Sequence, residues 1–312
     1  MAARDPWYQD RRLAGLRRFS IAITVFTVLG ETVFGFEPSW AQIVVSVVTA
    51  YGMAILLELV DAYAARRPVR FLGGWGLRGL GEFLLPTHIT SLSVGFLLYA
   101  GGALWPLAFA SAAAIASKAV FRVPTERGMR HFFNPSNSGI TLTLLVFPWV
   151  GIAAPYEFTE NLRGAALWLL PAGVLISGTF LLSRFAQRVP LAAAWIVGFA
   201  AQAVLRSILF ASPLSAELTP MTGVAFVLFS MYMVTDPASS PGSAAGQIEF
   251  GLGTAAAYGA LMALHVAYTL FFALTIVCAA RGASLYAGAW TAQRARLQTA
   301  PAAISALEAT NP

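Results

Sequence analysis

Two short polar segments interrupt an otherwise very apolar chain, and both carry side chains able to hold a charge or grip a ligand. The first reads Arg130-His131-Phe132-Phe133-Asn134-Pro135-Ser136-Asn137-Ser138-Gly139, the second Tyr232-Met233-Val234-Thr235-Asp236-Pro237-Ala238-Ser239-Ser240-Pro241-Gly242. Asn is a favoured N-cap and Pro a favoured first helical residue, so Asn134-Pro135 predicts a helix start. Asp236-Pro237 has the same grammar until Pro241-Gly242 interrupts it. A helix start offers free N–H groups and a positive partial charge, which bind phosphate and other anions. Lys118, the only lysine, precedes the first segment together with Arg122; Arg130 lies within it. Asn134, Ser138, Thr235, Asp236, Ser239 and Ser240 add hydrogen-bonding groups, and His131 adds a proton carrier or cofactor contact. With the aromatic faces of Phe132, Phe133 and Tyr232, this set suits a flavin: cations and N–H donors for its polar edges, rings for its plane.

Plainer readings stand beside these. Asn-Pro and Asp-Pro at the ends of membrane helices serve as simple caps. Lys118, four residues before Arg122, fits a lysine snorkelling to the surface. Arg122, Arg127 and Arg130 fit topology determinants, and His131 a solvated interfacial residue. Glu58 and Asp61 fit Arg-paired carboxylates, whereas Glu31 and Arg206 are either part of a buried polar path or residues near the outer interface. His88 and His265 stand isolated and suit hydrogen-bonded packing, and Ser177-Gly178-Thr179 suits close helix contact. Cys278 alone can form no intrachain disulfide and no cysteine metal cluster. The chain holds no phosphate-binding P-loop, dinucleotide fingerprint or catalytic-triad spacing, so neither a catalytic residue nor a metal ligand is assigned.

The elements that must position these groups follow from composition. Of 312 residues, 58% are hydrophobic and 11% charged, with mean hydropathy +0.69. Soluble domains carry about a quarter charged residues, so the chain reads as an all-α, polytopic integral membrane protein in the lipid bilayer of the cell (inner) membrane. Its net charge of +6 comes from arginines between apolar runs, as the positive-inside rule expects; it does not point to nucleic acid. The expected organisation is a basic cytoplasmic N-terminus (1–18, with Arg4, Arg11, Arg12, Arg17 and Arg18), a transmembrane domain (19–281) and a cytoplasmic, partly disordered tail (282–312). About ten transmembrane helices are expected, two of them with Pro-broken ends. The first covers 19–36 and is retained rather than cleaved as a signal. Residues 69–82, with Trp75, suit an interfacial segment; residues 221–234 form a short helix running into the second break. The outer loop 155–164 carries Glu157 and Glu160. The apolar stretch 248–280 divides into two helices turning near His265, which returns Arg281, Arg294 and Arg296 to the side of the N-terminus. Both breaks then face the cytoplasm, an echo of motif rather than an inverted repeat.

These segments resemble one family. Ser117-Lys118-Ala119-Val120-Phe121-Arg122, Arg130-His131-Phe132-Phe133-Asn134-Pro135, and Met233-Val234-Thr235-Asp236-Pro237-Ala238-Ser239-Ser240-Pro241 followed by Gly246-Gln247-Ile248 are similar to the RnfD/NqrB family, flavin-carrying membrane subunits of ion-pumping electron-transport complexes. The resemblance implies about ten helices, flavin, and electron transfer with a redox partner protein or further electron-transport subunits. Typical members carry an outer insertion with a Ser/Gly-x-Ala-Thr motif that holds FMN covalently; here the loop 155–164 is short and Thr159 lacks that context, so the implied flavin (FMN or riboflavin) is non-covalent. The compact length and the Arg130–Gly139 wording resemble the stand-alone RnfD-like proteins found with enediyne biosynthesis genes, which implies redox support of natural-product assembly. A small-solute channel or transporter, or a membrane anchor for biosynthetic enzymes, is the competing expectation.

Overall fold

A computed structural model describes residues 6–72, 76–125, 128–154 and 158–309, with side chains described within 13–294. Arg4, Trp75, Arg127 and Glu157 lie outside the described residues, as do the side chains of Arg11, Arg12 and Arg296. Helices make up nearly all of it: α1 (Pro6–Leu29), α2 (Trp40–Ala64), α3 (Leu77–Leu97), α4 (Trp105–Val120), α5 (Pro135–Val146), α6 (Leu169–Leu181), α7 (Val189–Phe210), α8 (Leu214–Leu218), α9 (Val224–Leu228), α10 (Ala244–Ala263) and α11 (Thr269–Ala309). Two small antiparallel pairs complete it. Strand β1 (Leu98–Tyr99) pairs with β4 (Gly151–Ile152), and β2 (Arg122–Thr125) with β3 (Gly128–His131).

The all-helical, membrane-type fold is as expected, but the count of about ten crossings is not reached. Among the described residues five helices are long and apolar enough to cross a membrane: Leu13–Phe34, Trp40–Ala64, Gly164–Ala186, Val189–Phe210 and Thr269–Arg294. The bent pair Leu214–Thr222 and Val224–Met233, kinked by 65°, makes a sixth if it is one span. Part of the shortfall lies at the breaks themselves. Helix α5 has 12 residues, about 18 Å at 1.5 Å per residue, against about 30 Å of hydrocarbon. The helix entering the second break is equally short, α9 continuing only through a π-helical turn at Phe229–Met233.

Small residues set the helix contacts. A methyl group on Gly139 of α5 would lie 2.3 Å from the Ala110 carbonyl oxygen of α4, and one on Gly251 of α10 would lie 2.8 Å from the Leu191 carbonyl oxygen of α7. Backbones approach this closely only where side chains are absent. A methyl group on Gly178 of α6 would lie 2.5 Å from Met231 Cβ, so Ser177-Gly178-Thr179 is a packing motif as expected. The core runs through both halves of the chain, with Trp195, Phe199, Phe226, Phe229, Tyr258 and Phe271 packed ring against ring.

Several expectations are refined. The chain does turn at His265, where His265 and Tyr268 take left-handed backbone (φ 57° and 55°) between α10 and α11. Helix α11 runs through residue 282 and on to Ala309. The β2–β3 hairpin, which carries Arg122, Arg130 and His131, has no counterpart in the hydropathy pattern.

Candidate functional site

The first break is a capped helix start. The Asn134 side-chain oxygen accepts the Asn137 N–H at 3.0 Å and the Ser136 hydroxyl at 2.9 Å, and Ser138 Oγ donates to the Asn134 carbonyl at 2.8 Å. Pro135 follows as the first helical residue, where its missing N–H costs nothing. The second break is different in kind. Asp236 does not start a helix: its carboxylate accepts the Ala238 N–H (3.1 Å) and the Ser239 hydroxyl (2.8 Å), closing a tight turn. The next helix begins only at Ala244, capped by Ser243, whose Oγ accepts the Gly246 N–H at 3.2 Å. Pro241-Gly242 prevents the earlier start.

The two breaks, far apart in sequence, meet. Asn134 Nδ2 donates to the Met233 carbonyl at 3.1 Å, tying the start of α5 to the end of the α9 segment. Asn137, one turn further, donates to the Phe271 carbonyl (3.1 Å) and to Thr275 Oγ1 (2.8 Å) of α11, and Thr141 Oγ1 shares Thr275 at 2.9 Å. Asn137 Oδ1 remains buried with no hydrogen-bond partner.

The depth of this junction follows from the β1–β4 pair, which levels the ends of α3 and α5. From that end α5 reaches Asn134 after about 18 Å, α3 reaches Pro86 after about 17 Å, and α4 reaches Lys118 after about 20 Å. These three residues therefore lie at a similar distance, about 17–20 Å, from that end of the bundle. Lys118 does not snorkel to the surface: its ammonium donates to the Pro86 carbonyl (3.4 Å) and Thr90 Oγ1 (3.3 Å), and the Asp236 carboxylate acts on it electrostatically. A membrane interior tolerates a lysine in this way only against protein polar groups.

Two arginines clamp the second break. Arg188, buried at the start of α7, donates from Nε to Ser240 Oγ (2.9 Å) and from Nη2 to the Pro237 carbonyl (3.3 Å). Arg281 of α11 donates from Nη1 to the Ser239 carbonyl at 2.8 Å. Ser240 Oγ also donates to the Asp236 carbonyl at 2.6 Å, and Thr235 Oγ1 donates back to the Met231 carbonyl at 2.7 Å within its own helical segment.

The other expected site residues are spread around this junction. Arg122 Nε donates to the Lys118 carbonyl at 2.7 Å, and its own carbonyl accepts the Tyr286 hydroxyl. Arg130 is exposed on β3, and His131 pairs with Arg122 across the hairpin. The aromatics do not converge. Phe132 and Phe133 cluster with Phe121, whereas Tyr232 stacks on Phe19 at 4.9 Å and bonds Ser177 Oγ at 2.8 Å.

The remaining polar residues have structural partners. Glu58 and Asp61 are bound by Arg67 and Arg70, as expected, and these hydrogen bonds push the Arg67 guanidinium above its ordinary range. His88 links three helices: its Nε2 faces Thr24 Oγ1 and its Nδ1 faces Tyr51 OH, both at 2.8 Å. Thr24 spends its proton on the Ser20 carbonyl, so Nε2 carries the ring hydrogen and Tyr51 donates to Nδ1. Arg206 is paired with Glu217 rather than part of a path, while Glu31 Oε1 is buried without a partner. Among the described residues no three His, Cys, Asp or Glu side chains come together as a metal set.

Asn137, Arg188 and Arg281 were missed by sequence reasoning. Asn137 could have been found from its place one turn after Asn134, on the same helix face. The two arginines read as ordinary topology markers.

No family model matches this chain, and no curated protein is significantly similar to it.

Proposed function

We propose that this is a membrane electron-transfer protein of RnfD/NqrB type, holding a flavin non-covalently where the two breaks meet. The observation that carries the reading is the Asn134–Met233 junction, which joins the first break to the second, where Arg188 and Arg281 hold the turn after Asp236. The donor set fits the group. Lys118 and Arg281 would compensate negative charge on a reduced ring or a phosphate, and the buried Asn137 Oδ1, which has no donor of its own, would accept a ring N–H. Asn134 is bonded to Ser136, Asn137 and Met233, and Ser239 and Ser240 to Asp236, so these residues hold the junction's shape. When bound, the flavin would supply the redox chemistry, with electrons exchanged with a partner protein. In this reading both termini lie in the cytoplasm of a cell (inner) membrane, and the redox steps serve natural-product assembly of the enediyne kind.

The test is an absorbance spectrum of detergent-purified protein, then mass spectrometry for covalent attachment. A flavin spectrum released on denaturation supports the reading. Absence of flavin, persisting after reconstitution with FMN or riboflavin, refutes it. Half-length helices joined at their ends also build transport sites, so a small-solute transporter is the second reading; solute flux in proteoliposomes without a chromophore would favour it.

A further inference from the structure

We infer that Tyr63, Arg66, Leu72 and Leu77, beside the end of α2, form a docking surface for anionic phospholipids, with Arg66 gripping the headgroup phosphate. Helix α2 sets the depth of this surface. From Trp40 to Tyr63 it rises about 34 Å at 1.5 Å per residue, against about 30 Å of hydrocarbon. The aromatics at its two ends face outward, Trp40 48% and Tyr63 88% exposed, as rings at headgroup depth do. At Arg66 the helix stops abruptly. The Arg66 N–H donates to the Tyr63 carbonyl and the Arg67 N–H to the Ala62 carbonyl, with Arg66 in left-handed backbone (φ 49°). A 3-10 turn follows at Arg70–Leu72, and Phe71 holds it to α3, its ring 5.5 Å from that of Phe83. Leu72 and Leu77 are left 70% and 89% exposed. Apolar side chains so open, level with the end of a membrane-length helix, have acyl chains as their natural neighbours.

Charge selects the headgroup. Arg67 bonds both oxygens of Glu58, at 2.6 and 3.1 Å, and also pairs with Asp61. Arg70 donates its backbone N–H to Glu58 at 2.8 Å, and its guanidinium lies 3.6 Å from each of the two carboxylates. Two acids thus answer two arginines, and Arg66 is the charge left over. It is exposed, and among the described residues no carboxylate pairs with it. On the adjoining α3, Arg17 and Arg78 both bind Glu82, so that acid is engaged as well. A guanidinium fork beside open apolar side chains matches a phosphodiester above its acyl chains. A choline headgroup would return the positive charge that a surplus arginine repels, so the ligand class is an anionic headgroup. Flavin plays no part in this surface.

The full chain is placed in nanodiscs of phosphatidylcholine mixed with phosphatidylglycerol, and the lipid it retains is counted by native mass spectrometry. Phosphatidylglycerol should be retained preferentially. Arg66→Asn should weaken that binding about fivefold, the worth of one basic residue at a membrane surface; Asn accepts left-handed backbone, so the helix end is kept. Arg66→Lys should retain most of the binding, and Arg163→Gln, an exposed arginine on the 155–164 loop, should change nothing. Leu77→Ser, which removes acyl contact and no charge, should weaken both lipids alike, and it serves if Arg66→Asn does not fold. Equal retention of the two lipids, the outcome if the surface instead meets a protein, would overturn the proposal. So would equal losses in Arg66→Asn and Arg163→Gln, or a phosphatidylglycerol preference that Arg66→Asn leaves intact.

Discussion

At the scale of single residues, Asn134 does two jobs that separate cleanly. Its oxygen caps α5 and its nitrogen bridges to Met233. Asn134→Ala should cost about 2 kcal/mol of stability, and Asn134→Ser, which restores the cap alone, should recover about half of that; thermal unfolding in detergent measures both. The cap was legible in the sequence because capping is local chemistry, written in Asn-Pro itself. The bridge was not, since its partner lies across the fold. Asp236 shows the opposite case: its dipeptide has the same grammar, but Pro241 and Gly242 downstream turned the cap into a closed turn. Lys118 was singled out as the only lysine, yet its rarity could not say whether it reached water. Its bonds to Pro86 and Thr90 of α3 join residues far apart in sequence, which no local pattern reveals.

At the scale of elements, helix pairs are set by missing side chains. Gly139 meets the Ala110 carbonyl oxygen, and backbone cannot swing aside. Gly139→Ala should therefore cost about 1–3 kcal/mol through overpacking, whereas Gly52→Ala, where a methyl group meets nothing within 4 Å, should be neutral or slightly stabilising; the pair of melting temperatures checks this. The end of α7 is fastened to α8 by Arg206 and Glu217, with Gln202 and Ser212 completing the bonds at 2.7 and 2.6 Å. Arg206→Met alone should cost about 3–5 kcal/mol, and adding Glu217→Met should restore most of it, because the cost lies in the charge left behind. The turn at His265 was legible from span length and arginine placement. The β2–β3 hairpin was not, because four-residue strands within an arginine-rich loop leave no periodic trace.

For the whole molecule, composition alone decided the membrane class and the helical fold, because a bilayer admits few other solutions. The number of crossings was not legible, since hydropathy cannot tell a full span from a helix that stops halfway. Cys278 is buried, so the native chain offers a silent background for single-cysteine labelling. If the positive-inside assignment is right, cysteines at Arg184 and Arg294 should label from the cytoplasmic side and one at Arg163 from the opposite side; labelling of Arg184 and Arg163 from the same side would reject it.

The short helices at the junction have an electrical meaning. Beyond α5 and the α9 segment the chain continues as the hairpin and the 236–240 turn, both polar and bordered by arginines. In a bilayer, a water-filled approach to that hairpin and turn would leave an insulating layer of about 18 Å at this spot instead of about 30 Å. A voltage across the bilayer, worth about 2.3 kcal/mol per charge for each 100 mV, falls mostly over that thinner layer. An electron or anion delivered from the arginine side would reach the junction having crossed little of the voltage, while any passage onward would meet nearly all of it.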